Sequence, residues 1–236
     1  MNQAQVKYLK TLPPEAAEAI LKRKLQDKYK SSLYLTAKHL LNYRDCTLHC
    51  HGAMVSALES PNARKLIVMP RGSFKSSIGV VAYPIWCLMK DPNERILIDS
   101  EVYSNSKNFL REIKARLADQ RFINIFGNWQ GDSWTEGEIT ISTRTKPYKE
   151  ASITCGGIET VKVGQHYSTI IGDDYNSGNN SLSADGRAKV IRHYQLNQSI
   201  LDPGGKYVII GTRYSVGDPI GFILENEINK KGLLPK

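Results

Sequence analysis

The hydrophobic pattern starts helical and then turns to short buried runs. From Pro13 to Lys30 the apolar positions Ala17, Ile20, Leu21 and Leu25 recur at helical spacing among lysines and glutamates, which predicts an amphipathic helix. Ser31 or Ser32 is placed to cap a second helix running to about Tyr43, and His49 to Leu58 predicts a third, stopped by Ser60-Pro61-Asn62. Residues 1–60 therefore read as a helical segment ahead of the first strand. Leu66-Ile67-Val68-Met69 is the first short apolar run, and a helical pattern follows from Ile78 to Met89. Asp91-Pro92-Asn93 makes a turn, Arg95 to Asp99 predicts a second buried strand, and Phe109, Leu110, Ile113 and Leu117 line one face of the next helix.

Between Phe122 and Gly157 the character changes. Alternation over Glu138 to Ser142 and the shorter Ser152 to Cys155 predict a hairpin or excursion at one sheet edge, with Trp129 and Trp134 as core anchors. Ser168 to Gly172 and Lys206 to Gly211 predict two more buried strands. A helix capped by Ser183 and carrying Val190, Ile191 and Tyr194 lies between them, ended by Leu201 to Gly205. Asp218-Pro219 predicts the start of a last helix. Strands alternating with helices at this spacing predict parallel βαβ units, so residues 61–236 read as one three-layer α/β core with a mainly parallel sheet.

Three of the buried runs end in polar chemistry. Pro70-Arg71-Gly72-Ser73-Phe74-Lys75-Ser76-Ser77 joins the first strand to its helix, the layout in which backbone N–H groups and a positive helix end face an anion. Against the P-loop pattern G-x-x-x-x-G-K-[ST], Met69 and Phe74 stand at the glycine positions, and Lys75 and Ser76 match. The run ending at Gly172 closes in Asp173-Asp174, two adjacent carboxylates that need a cation or a hydrogen-bond network. The run ending at Gly211 closes in Thr212-Arg213. In open parallel sheets ligands bind outside the carboxyl ends of the strands, which gathers all three at one edge. There Asp173 is placed to hold Mg²⁺ and Asp174 to polarise an attacking water.

The 236 residues suffice for one α/β domain, and a formal net charge of +9 suits a polyanionic partner such as nucleic acid. No apolar run approaches the ~20 residues of a membrane span, and the N-terminus lacks the apolar core of a signal peptide, so a cytosolic protein is expected. Cys46, Cys50, Cys87 and Cys155 are scattered, as reduced thiols are. Cys46, His49, Cys50 and His51 fall within six residues, with Cys46 and Cys50 expected to share a helix face. No second pair at finger-like spacing follows, so helix packing is the expectation there and not a metal site.

Together, Pro70 to Ser77, Ile170-Ile171-Gly172-Asp173-Asp174 and Ile209-Ile210-Gly211-Thr212-Arg213 resemble the ATPase domain of tailed-phage large terminases, the motors that pump double-stranded DNA into procapsids. The resemblance covers roughly Leu48 to Leu224 and includes Asp91 to Ile98. It implies a P-loop NTPase of the ASCE/RecA-like type, binding ATP and Mg²⁺. Pro70 to Ser77 would form the Walker A loop, with Lys75 on the β/γ-phosphates, Ser76 on Mg²⁺ and Arg71 sensing the γ-phosphate. Asp173 would be the Walker B metal carboxylate, Asp174 would stand in the catalytic glutamate's place, and Gly211, Thr212 and Arg213 would be the coupling motif.

The sequence departs from the family at Phe74, at Asp174 and at Gln165, the last falling where relatives often have an arginine. A trans-acting finger would then be Lys162, Arg144, Arg187 or another residue. Implied partners are double-stranded DNA, the procapsid portal, the small terminase subunit and further copies in a ring. The implied location is the host cytoplasm, transiently at the portal. The family's nuclease domain is expected to be absent, and DNA cleavage with it. Two other functions fit the motifs: a helicase-like nucleic-acid-dependent ATPase, and a non-hydrolysing DNA-binding assembly subunit.

Overall fold

Apolar strands flanked by amphipathic helices condense here into an α/β fold with a seven-stranded mixed sheet and, among the described residues, eight helices. The computed structural model describes residues 11–160, 164–175, 183–213 and 218–229. In chain order the helices are α1 (Pro14–Lys30), α2 (Leu33–Leu35, continued by a π-helical stretch Thr36–Leu40) and α3 (Leu48–Glu59), then α4 (Tyr83–Lys90). They continue with α5 (Tyr103–Leu117), α6 (Gln120–Phe126), α7 (Ala184–Ser199) and α8 (Pro219–Ile223). The strands are β1 (Arg64–Val68), β2 (Ile96–Ser100), β3 (Gln130–Trp134), β4 (Glu138–Ile141), β5 (Ile153–Gly157), β6 (Tyr167–Asp173) and β7 (Leu201–Gly211).

The sheet order is β1-β7-β6-β2-β5-β4-β3. The first five are mutually parallel, and β3 and β4 add an antiparallel edge. The expected excursion therefore holds for β3 and β4. The Ser152–Cys155 segment differs: as β5 it is an inner parallel strand, every residue buried, hydrogen-bonded to β2 as well as β4. A second difference concerns Leu201 to Gly205. These residues form the first part of β7, with a register shift opposite Tyr167 to Thr169 that absorbs the Pro-Gly-Gly sequence. Helix α6 had no advance signal, being too short to show a period. Asp119 caps it by accepting from Arg121 N, and it seats Phe122 against Trp129 at 4.9 Å.

Capping residues set most helix starts. Ser32 accepts from Leu35 N, Thr47 from Cys50 N, Ser183 from Gly186 N and Asp218 from Gly221 N. Helices α2 and α3 are not a separate body. Leu33, Leu40, Met54, Val55 and Leu58 belong to the same buried cluster as Ile67, Val80, Ile98 and Ile210. Lys65 completes this joint: its buried ammonium donates to Leu58 O at 2.6 Å and Ser60 O at 2.8 Å, tying the end of α3 to β1.

Before α4 the chain runs as a π-helical stretch, Ser77–Ala82, that is buried from Ile78 on. Gly79 permits its approach to the sheet, because a Cβ there would lie 2.1 Å from Ile210 Cδ1 and 2.9 Å from Met54 Cε. No helix among the described residues is long and apolar enough to cross a membrane.

Candidate functional site

The parallel arrangement brings the ends of β1, β7 and β6 side by side, with β7 between the other two. After β1 the loop passes through Pro70 and Arg71, both exposed, and takes up helical geometry at Lys75. Gly72 (φ 74°) and Phe74 (φ 61°) are both left-handed, alternating with Ser73 and Lys75. Such alternation turns successive backbone N–H groups toward one concavity, a nest suited to an anion.

A left-handed phenylalanine costs roughly 1–2 kcal/mol against a glycine. The helical segment offsets this. The Phe74 ring meets Tyr43 edge-on at 5.2 Å and His51 at 6.2 Å, and an aromatic pair contributes about 0.5–1.5 kcal/mol beyond its buried area. His51 also holds the neighbouring peptide. Its Nδ1 accepts from Thr47 N at 3.1 Å, so its Nε2–H donates to Ser73 O at 3.1 Å. Since C=O and N–H of a trans peptide point in opposite directions, fixing Ser73 O on His51 aims the Phe74 N–H away from α3, toward the loop interior.

This assignment also disposes of the cysteine-histidine cluster as a unit. His51 is spent on loop and cap, Cys46 is buried ahead of the Thr47 cap, and Cys50 is exposed within α3, so Cys46 and Cys50 do not share a helix face. Among the described residues no group of three or more His, Cys, Asp and Glu is arranged to hold a metal.

Two acids close β6. Asp173 is buried, and Ser76 Oγ donates to its two oxygens at 3.0 and 3.2 Å across a sequence separation of 97. Burial, reinforced by the Asp174 charge, pushes the Asp173 carboxyl up to about 7, although the Ser76 hydroxyl and the Lys75 ammonium both pull it down. Asp174 is left-handed (φ 41°) and more open, its side chain 34% exposed. Its Oδ2 lies 3.9 Å from Lys75 Nζ and its Oδ1 accepts from Thr212 N at 3.1 Å. Thr212 Oγ in turn donates to Met69 O at 3.0 Å, and Met69 N donates to Gly211 O at 3.1 Å. Thr212 thus bonds to both the loop after β1 and the acid after β6.

Chemically the site offers a backbone nest beside a lysine, and next to it a hydroxyl-carboxylate pair of hard oxygen donors. The first suits a phosphate and the second a divalent cation of the Mg²⁺ kind. Ser77 heads the π-helical stretch behind them, half-buried, and Arg213 is exposed beyond Thr212.

The finger candidates separate. Lys162 lies outside the described residues. Arg144 follows β4 at the amino-terminal edge, opposite the site, with Nη1 donating to Glu150 O at 2.6 Å and its guanidinium over the Tyr148 ring. Arg187 is half-buried in the first turn of α7.

Sequence reasoning missed the loop-holding role of His51 and a buried cluster on Asp99, Tyr175, His193 and Asn197. The one available signal was that Asp99, like Asp173, ends an apolar run. No protein-family model matches the sequence, and no curated protein matches it.

Proposed function

We propose that this chain is a Mg²⁺-dependent ATPase of the P-loop type, acting as the motor domain of a DNA-packaging terminase. The observation that carries the reading is the Ser76–Asp173 contact: a helix-start hydroxyl and a strand-end carboxylate, far apart in sequence, meet in a hydrogen bond next to Lys75, the donor set a divalent cation would use. The strand order supports it. β7, which leads into Thr212, stands between β1 and β6, so the three polar segments lie side by side at one sheet edge.

In this reading the N–H groups of residues 72–76 and the Lys75 ammonium bind the β- and γ-phosphates. Ser76 and Asp173 would hold Mg²⁺, which when bound neutralises charge on the phosphate oxygens. Asp173, whose carboxyl holds its proton through burial, would have to be ionised to serve as that ligand. Asp174 orients the attacking water with the carboxylate that Thr212 steadies, and Thr212 relays the state of that carboxylate to the loop at Met69. Arg71, at the exposed tip of the loop, supplies further positive charge to the γ-phosphate. Phosphoryl transfer depends on positioning and charge stabilisation, so a finger from a neighbouring copy would raise the rate by about 10³–10⁵-fold. Double-stranded DNA, a portal, a small subunit and a ring of copies enter on the terminase resemblance, with the net charge of +9 in its favour.

The test is ATP turnover by purified protein in Mg²⁺, beside Lys75→Ala, with ATP binding followed by calorimetry. Turnover lost in the variant supports the reading. Turnover unchanged in Lys75→Ala overturns the loop assignment, absence of any heat of ATP binding favours a non-hydrolysing assembly subunit, and strand separation without capsid favours a helicase.

A further inference from the structure

Beneath the acidic end of β6 lies a buried polar cluster that the proposed chemistry does not use. Asp99 on β2 is 1% exposed and stands in register between Gly156 of β5 and Gly172 of β6. Both glycines make room. A Cβ on Gly156 would come within 2.7 Å of Asp99 Oδ1, and one on Gly172 within 2.5 Å of the Tyr175 ring. The space at Gly172 is filled by Tyr175, which follows Asp174 directly and folds back under the strand it has just left.

The Tyr175 hydroxyl donates to Asp99 Oδ2 at 2.8 Å. His193 Nε2, at 2.5 Å, and Asn197 Nδ2, at 2.6 Å, reach the same oxygen from one face of α7. Asn197 Nδ2 also lies 3.2 Å from the Tyr175 oxygen, and the Tyr207 hydroxyl of β7 is 3.4 Å away. One carboxylate oxygen therefore gathers donors from α7 and from the segment after β6. Bonds to a charged acceptor in a dry site are strong and directional.

The consequence falls on Asp174. Its left-handed backbone (φ 41°) is unfavourable for an aspartate outside a locally fixed turn. The turn is fixed on both sides, by β6 before it and by the seated Tyr175 after it. With the backbone so held, Oδ1 meets Thr212 N at 3.1 Å. Packing alone does not require this chemistry, because a phenylalanine would fill the same space against Ile158 and Val190. The hydroxyl and its three buried partners are what a simple plug lacks a use for.

We infer that Tyr175, anchored by Asp99, His193 and Asn197, is a positioning residue that aims the Asp174 carboxylate at Thr212. The catalytic consequence rests on the ATPase reading, whereas the aiming itself is measurable without turnover.

The experiment compares wild type with Tyr175→Phe, which removes only the hydroxyl, and Gly172→Ala, which displaces the ring. Amide hydrogen exchange is read residue by residue by NMR, with ATP kinetics in parallel. The Thr212 amide is expected to exchange about tenfold faster in both variants, with the Val208 and Ile210 amides of β7 unchanged. The kcat is expected to fall about tenfold with KM for ATP unchanged, the sign of an interaction lost in the transition state alone. Thr212 exchange in Tyr175→Phe equal to wild type overturns the inference and leaves Tyr175 as core filling. If Gly172→Ala accelerates Val208 as well, the substitution has loosened the sheet and Tyr175→Phe alone decides. Faster Thr212 exchange in a protein whose wild type hydrolyses no ATP upholds the positioning role and sinks the ATPase reading instead.

Discussion

The Thr212 amide donates to Asp174 Oδ1 across 3.1 Å, joining the end of β7 to the residue that follows β6. The same threonine binds Met69 O through its hydroxyl. Thr212→Val keeps the amide and removes the hydroxyl. It is expected to cost about 1 kcal/mol of stability, the usual net value of a hydrogen bond, and to lower ATP turnover about tenfold. Thermal melting and steady-state kinetics check the two effects separately.

Ser76 and Asp173 predict a pH dependence with a definite sign. Asp173 keeps its proton in the folded protein up to about pH 7, well above the ordinary carboxylate range. A raised carboxyl pKa means that the folded state binds more protons than the unfolded state between about pH 4 and 7, so without metal the fold loses stability as pH rises through that window. Asp173→Asn is accordingly expected to stabilise the metal-free protein at pH 8, on the order of a few kcal/mol, while abolishing Mg²⁺-dependent turnover. Denaturant titrations at pH 5 and pH 8 test the first half, since the variant's advantage must shrink at the lower pH. Added Mg²⁺ is expected to stabilise wild type at pH 8 and not the variant.

The loop's tolerance of a phenylalanine at position 74 rests on Tyr43 and His51. Phe74→Gly relieves about 1–2 kcal/mol of left-handed strain but loses two ring contacts of about 0.5–1.5 kcal/mol each together with the ring's buried area, so its melting temperature is expected to fall below wild type. His51→Ala leaves Ser73 O without its donor. It is expected to raise KM for ATP several-fold, and His51→Gln, which retains an N–H, to recover part of the loss. Matched kinetics on the three variants distinguish loop orientation from bulk stability.

Gly79 sets the distance between the helical stretch after the loop and β7. Gly79→Ala pushes a methyl toward Ile210 and Met54, and overpacking of this kind costs about 1–3 kcal/mol. Urea unfolding measures it, and a cost near zero would show that the Ile210 side chain swings aside freely.

Much of this architecture was legible because its signals are local. Alternating apolar runs and helical periods declare βαβ units, and Ser32, Ser183 and Asp218 declare helix starts, since cap and helix lie within one turn of each other. Lys75, Ser76, Asp173, Asp174 and Thr212 could be placed at one edge from strand direction alone, and they meet there. The order of the strands was not legible, because pairing between β1 and β7 depends on which buried faces fit and not on any residue in either. For the same reason β5 read as part of an edge hairpin: a short buried run carries no mark of how many neighbours it has. The left-handed Phe74 and Asp174, the His51 clasp on Ser73 and the Asp99 cluster under Tyr175 are likewise long-range outcomes. Sequence determined which groups arrive at the carboxyl edge, since period and strand polarity are properties of the chain itself. Only tertiary packing decided how each group is aimed, because orientation is set by partners that meet only when the sheet and its helices close.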